Sequence, residues 1–306
     1  MTPQTKNNRL VPKEGTPPTE EGLRLLLANG LVDHTQQTID IWSLPFKIVT
    51  KDGVPTLQDS VVGAELWLKK FITQDPEMLQ MKDDALKLSK IDDEVLILGE
   101  TGTGKELIAR AMIGDRQGSF YRINCAAMPK DLIESELFGH KIGAFTDAKS
   151  TKKGLMEVAK DGVLFLDEIG DLPLETQAKM LNALQPIDGK RYIRPVGSNE
   201  EIEINCRVVC ATHRDLKSMC KDKLFRIDLY ARISTFELHI TPISNRKKDI
   251  EPIIKEIGFL LKKEKQAQAF LESKYMDDIM NDQVDLSLNV RSLEQAVKRF
   301  SVLGRV

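Results

Sequence analysis

The chain has 306 residues, 41% hydrophobic and 29% charged, a balance that excludes a disordered polymer and suits a globular protein with room for more than one domain. A net charge of −2 excludes nucleic-acid recognition through overall basicity. No apolar run is long enough to span a bilayer, and the polar opening MTPQTKNNRL is not expected to act as a signal peptide. The four cysteines, Cys125, Cys206, Cys210 and Cys220, follow no metal-ligand spacing; buried reduced thiols and a cytoplasmic setting are expected.

Residues 1–19 hold little that can pack and read as a flexible lead-in. Glu20 to Leu31 predicts a short helix ending near Gly30, and FKIV before Lys51-Asp52-Gly53 predicts a strand and a turn. Residues 1–56 carry no chemical motif, so they are either an accessory segment or a packing extension. Ala64 to Ile72 and Pro76 to Ser89 read as helices.

The strongest signal follows. Val95 to Leu98 is a short apolar run, hence a buried strand. Gly99, Glu100, Thr101, Gly102, Thr103, Gly104 and Lys105 form G-x-x-x-x-G-K, and Glu106 to Ile113 has helical spacing. Strand, glycine loop, lysine and helix make a P-loop. Its glycines let backbone N–H groups turn inward around a phosphate chain, the helix N-terminus favours the anion, and Lys105 reaches the outer phosphates. Glu106 stands where a Ser or Thr usually helps hold Mg²⁺.

Ser119 to Asn124 reads as a second strand. Val163 to Leu166 is a third, ending in Asp167 and Glu168. Strand C-termini of a parallel sheet open into the ligand crevice, so Asp167 is placed to hold a metal and Glu168 to polarise an attacking water. Asp171 to Gln185 predicts an amphipathic helix, Cys206 to Thr212 and Phe236 to Ile240 two more strands. Helices are expected at Glu251 to Lys265, about 266–280, and Val290 to Leu303. The alternation predicts an α/β fold with a parallel-sheet core and a helical C-terminal part.

GETGTGKE (99–106) resembles GESGTGKE, the P-loop of the bacterial enhancer-binding proteins, AAA+ ATPases that activate transcription by sigma-54 RNA polymerase. NCAAMPKDLIESELFGHKIGAFTDA (124–148), GVLFLDEIG (162–170), ATHRDL (211–216), LFRIDLYARI (224–233) and LNVRSLEQAV (288–297) are similar to the matching family segments. The resemblance covers roughly residues 57–306. It implies an AAA+ P-loop NTPase domain over 57–241, an α-helical lid over 242–306, and an N-terminal extension over 1–56. It implies ATP and Mg²⁺ as cofactors, with Val62 at the adenine and Arg291 sensing nucleotide from the lid. Asn124 would switch the catalytic glutamate. Arg226 and Arg232 would reach the nucleotide of the next subunit in a ring, as a hexamer.

Gly143, Ala144, Phe145, Thr146, Asp147 and Ala148 match the loop that contacts sigma-54, with Asp147 in place of a glycine. His213 replaces the family's asparagine, either sensing the γ-phosphate or facing solvent. The 15 residues after Arg291 are too few for the family's helix-turn-helix, so no DNA-binding domain is expected in this chain. Two other readings fit the residues: an AAA+ remodeller of a different protein client, and a nucleotide-gated assembly protein with little turnover.

Overall fold

A computed structural model of the chain describes residues 46–51, 54–59, 64–116, 118–145 and 148–304. The helix expected at Glu20 to Leu31, and Val62, Thr146 and Asp147, lie outside the described residues.

Strands β1 (Phe46–Lys51) and β2 (Val54–Asp59) pair antiparallel on either side of the expected turn. Helices α1 (Ala64–Lys70) and α2 (Pro76–Leu88) follow. The Asp75 carboxylate accepts from the N–H groups of Glu77 and Met78, and Pro76 occupies the first helical position, so α2 starts where its cap dictates. Next come β3 (Val95–Gly99), α3 (Lys105–Ala111), β4 (Phe120–Asn124), α4 (Lys130–Phe138), and two-residue strands β5 (Gly139–His140) and β6 (Lys152–Lys153). Short α5 (Leu155–Val158) leads to β7 (Val163–Asp167) and α6 (Leu174–Leu184). Then β8 (Arg191–Ile193), β9 (Ile202–Ile204), β10 (Arg207–Thr212), α7 (Leu216–Lys221), α8 (Ile227–Ile233) and β11 (Phe236–Ile240) complete the α/β part.

Five strands form one parallel sheet in the order β11-β3-β10-β7-β4. Their apolar runs are contiguous because both faces are covered. Leu96, Leu164, Leu166, Val208 and Cys210 pack toward α4, α6 and α8, through residues such as Phe138, Met180 and Leu229. Val95, Ile97, Val163, Phe165 and Val209 pack toward α1, α2 and α3, through Trp67, Met81 and Ile108. Asn124 and Ala211 both lie opposite Asp167, and Thr212 lies opposite Leu98, so the strands end together in one crevice.

Helices α9 (Ile250–Leu260), α10 (Glu264–Leu271), α11 (Lys274–Met280) and α12 (Val290–Leu303) share a third core around Ile254, Phe270, Leu293 and Val297. Three expectations shift here. The single helix over 266–280 is two, because extended Ser273 breaks it and turns its hydroxyl onto the Phe270 carbonyl at 2.6 Å. Helix α9 stops at Leu260, before Lys262 takes a left-handed turn. Helix α6 begins at Leu174, after Pro173 restricts the residue before it. Within the segment 189–197, β8 pairs antiparallel with β9. Among the described residues no helix is long and apolar enough to cross a membrane.

All four cysteines are free; Cys125, Cys206 and Cys210 are buried and Cys220 is partly exposed on α7. Burial pushes the inner thiols up, Cys206 to about 11 and Cys210 well above its ordinary value. Only Cys220 is therefore expected to react promptly with Ellman's reagent at pH 8, and all four after denaturation. More than one fast thiol in the native protein would contradict this packing.

Candidate active site

The loop from Gly99 to Gly104 joins β3 to α3. Gly102 and Gly104 hold positive φ, 80° and 106°. A Cβ on Gly102 would sit 2.0 Å from the Leu288 carbonyl oxygen, so the loop backbone lies directly against the segment before α12. Lys105 is buried, and its Nζ donates to the carbonyls of Gly99 at 2.7 Å and Glu100 at 3.1 Å. Burial lowers the Lys105 pKa from its ordinary value, while the carboxylates of Glu168 and Asp167 pull it back.

Glu168 follows β7 in a left-handed conformation, φ 56° and ψ 52°, a strain typical of functional turns. Its Oε2 accepts from His213 Nδ1 at 2.8 Å, from the His213 N–H at 3.3 Å and from Thr212 Oγ1 at 3.4 Å. Its other oxygen lies 3.7 Å from Lys105 Nζ. His213, half-exposed, is thus the close partner of Glu168 rather than a purely solvent-facing side chain. Asn124 is not engaged with Glu168 here. Its side-chain oxygen accepts from the N–H groups of Ala126 and Ala127, at 2.9 and 3.1 Å, and so closes the turn after β4.

Arg122 is a site residue that the sequence reading passes over. Strand alternation puts Phe120, Arg122 and Asn124 on the face toward α3. Arg122 Nη1 donates to Glu106 Oε2 at 2.6 Å and Nη2 to Asp167 Oδ2 at 2.7 Å. Arg110 Nε donates to the other Glu106 oxygen at 3.0 Å. The only signal in the sequence is a lone arginine amid FYRIN, which reads equally well as an edge-strand surface charge.

Two buried groups bind the helical part to the α/β part, Asn289 at the loop and Asp249 at the segment before α2. Asn289, at φ 54°, donates from Nδ2 to Glu100 Oε2 at 3.0 Å and to the Thr101 carbonyl at 3.1 Å. Its oxygen accepts from the Ile243 N–H at 2.7 Å, tying loop, hinge and the start of α12 together. Asp249 accepts from Arg246 at 3.0 Å, from Thr73 Oγ1 at 2.7 Å and from the Gln74 N–H at 2.6 Å.

A cavity of about 470 Å³ opens between these elements. Thr101 to Leu107, Arg122, Asn124, Asp167, Glu168 and Arg291 line it, together with apolar Phe71, Ile72, Ile253, Ile257 and Leu260. The glycine loop and the cations suit a phosphate chain, and the apolar wall suits a planar base. Phe71 and Ile72 give that wall two apolar residues that the sequence does not single out. A larger groove, about 1050 Å³, runs past Phe145 but brings together no comparable chemistry.

Magnesium typically takes one or two carboxylates plus phosphate oxygens and water. Asp167, mostly buried at a strand end with one oxygen held by Arg122, fits that modest role. Among the described residues no group of three or more acids, histidines or cysteines is poised to hold a metal by itself.

Arg226 and Arg232 do not line the cavity. Arg226 Nη2 pairs with Asp228 at 2.7 Å, and Arg232 Nη2 lies 3.5 Å from Glu94. Glu94 precedes β3, whereas the P-loop follows it, a separation of about 16 Å for a five-residue strand. In the expected contact loop, the Gly143 N–H donates to the Ala148 carbonyl and the Ala148 N–H to the Phe145 carbonyl, both at 2.9 Å. Phe145 is 36% exposed, its ring edge-on to buried His140 at 5.0 Å, so it rests partly on the body of the domain.

The sequence pattern of the Sigma-54 interaction domain family matches residues 71–239, more than half of the chain. The match begins at Phe71, later than the resemblance first suggested. Regulatory protein AtoC of Escherichia coli is 39% identical over 245 residues, 76% of this chain and 50% of that protein. The formate hydrogenlyase transcriptional activator FhlA of the same organism is 37% identical over 278 residues, 90% of this chain and 39% of that protein. The chain therefore spans half or less of the length of these relatives. Among solved structures, NtrX from Brucella abortus superposes with a TM-score of 0.64 at 28% identity, covering 79% of this chain and 54% of that one. NtrX in complex with ATP gives 0.63 at 26% identity, covering 76% and 50%. The five-stranded parallel sheet, the P-loop at its crevice and these likenesses make the fold that of an AAA+ P-loop NTPase. By sequence and by fold, the chain belongs to the Sigma-54 interaction domain family, a family of AAA+ ATPases.

Proposed function

We propose that the chain hydrolyses ATP and uses the cycle to remodel sigma-54 RNA polymerase holoenzyme for transcription. The observation that carries this reading is the convergence of Lys105, Asp167, Glu168 and Arg291 on one cavity, in a chain of this family. Lys105 would leave the Gly99 and Glu100 carbonyls to meet the outer phosphates. Glu168 would release His213 and orient the attacking water. When bound through Asp167, Mg²⁺ would neutralise charge on the β- and γ-phosphate oxygens. Arg291, at the first turn of α12, would report phosphate occupancy to the helical part.

Because neither Arg226 nor Arg232 lines its own nucleotide cavity, they would serve a neighbour's nucleotide, which supports a ring, hexameric in this reading. Residues 57–241 would form the ATPase domain and 242–306 the lid, held by Asn289 and Asp249. Val62 would complete the adenine wall beside Phe71. Residues 143–148 would be the client-contacting tip. Free buried thiols suit a reducing cytoplasm.

The hydrogen bond from His213 to Glu168 favours a second reading, a nucleotide-gated assembly protein with little turnover. Steady-state phosphate release decides between them: sustained ATP-dependent release supports the ATPase, and nucleotide binding without release supports the alternative. Phe145→Ala is expected to leave ATPase within about a few-fold of wild type, because Phe145 adds no charge to the nucleotide cavity, while abolishing client remodelling. A collapse of ATPase in that variant would mean that the His140 contact makes Phe145 structural.

A further inference from the structure

Glu106 poses a problem for a phosphate site. A carboxylate in the first turn of α3, next to Lys105, adds negative charge where phosphates would sit. The structure answers with two arginines on that one side chain, Arg110 from the same helix and Arg122 from β4. Arg122 does more than neutralise Glu106, because its second nitrogen holds Asp167 at 2.7 Å. Both Arg122 contacts are short and charge-assisted, and the fixed fork of the guanidinium serves the two carboxylates from separate nitrogens.

We propose that Arg122 is a positioning residue that sets how much divalent cation the site demands. It draws Asp167 toward Glu106, and the Asp167 carboxylate becomes fully available to a nucleotide-borne cation only as the guanidinium gives way. The proposal rests on the reading of this cavity as a Mg²⁺-nucleotide site. The physical argument is competition of like charges. A cation at Asp167, directly or through water, would stand within a few ångströms of Arg122, and each disfavours the other. The pair is also breakable. The Arg122 side chain is 41% exposed, so water reaches the guanidinium and screens its half of the pair. When Asp167 is taken, Glu106 keeps the guanidinium from leaving the site, so the contact can reform when the cation departs.

The test is binding of N-methylanthraniloyl-ADP to the full chain, followed by fluorescence while Mg²⁺ is titrated. Arg122→Ala is expected to lower the Mg²⁺ midpoint by about three- to ten-fold, on the scale of one partly screened charge pair. Arg122→Lys should lower it less. Glu106→Gln should move it the opposite way, up by about two-fold or more, because Arg122 then has Asp167 as its main counter-charge. A midpoint in Arg122→Ala equal to or above wild type overturns the proposal while leaving the nucleotide site intact. Should Arg122→Ala fail to fold by circular dichroism, Glu106→Gln decides alone, and an unchanged or lowered midpoint overturns it. Wild-type protein that binds no labelled nucleotide at any Mg²⁺ concentration would remove the nucleotide reading itself, and this proposal with it.

Discussion

Replacing Glu168 by glutamine is expected to cut steady-state phosphate release by at least ~10²-fold, the scale of losing a general base, while nucleotide binding persists. Geometry supports the split. Glu168 sits at a strained turn at the end of β7, 3.7 Å from Lys105 Nζ, with His213 on its other oxygen. A glutamine occupies the same volume and can still meet His213 and Thr212, so the fold has no reason to suffer. It cannot take up charge, however, and so cannot draw a proton from water. Lys105→Ala should behave differently. It removes the buried ammonium beneath the loop and should weaken nucleotide binding itself. Equal phosphate release by Glu168→Gln and wild type would remove Glu168 from the chemistry.

Arg232→Ala is expected to lower hydrolysis by about 10³-fold, the lower range for an arginine supplied to a phosphoryl-transfer site from a neighbouring subunit. ATP binding by each isolated subunit should survive, because Arg232 stands beside Glu94 at the far end of β3 from the P-loop. The same geometry makes a stronger prediction for mixtures. Arg232→Ala subunits keep a good P-loop, and Lys105→Ala subunits keep a good arginine. Mixed rings would contain some junctions where both intact halves meet, so activity should return above either variant alone. Sedimentation that shows only monomers in every nucleotide state, with normal ATPase, would sink the shared-site arrangement. Arg226, held by Asp228 at the start of the same helix, should follow Arg232.

The sheet was legible because its strands are buried on both faces. VLILG, VLFLD and RVVCAT leave little choice but strand, and the glycines and lysine after the first of them fix where phosphate would bind. The acid pair at Asp167 and Glu168 was legible for the same reason, as the end of an unmistakable strand. Side-chain pairing was not. Arg122 is one charged residue on a half-exposed strand, and no periodicity says that its guanidinium spans two carboxylates 16 and 45 positions away.

Asn289 looks like an ordinary polar residue before a helix, yet it is fully buried and joins the loop to the hinge. Phe71 and Ile72, just after α1, were not legible as part of the apolar wall, because one apolar pair after a short helix carries no signal of a ligand. The split between α10 and α11 was hidden because Ala267, Leu271, Tyr275 and Ile279 keep i, i+4 apolar spacing across the break. His213 was left between two roles, since sequence alone cannot say that its ring reaches Glu168.

The most direct test of the account is capture of purified sigma-54 by the full chain in the presence of an ATP transition-state analogue, with Phe145→Ala and Asp147→Gly beside wild type. Analogue-dependent capture is expected of wild type, equal or stronger capture of Asp147→Gly, and none of Phe145→Ala, each with ATPase retained. No capture by any of the three, with ATPase intact in all, would contradict sigma-54 as the client and leave a remodeller of some other protein.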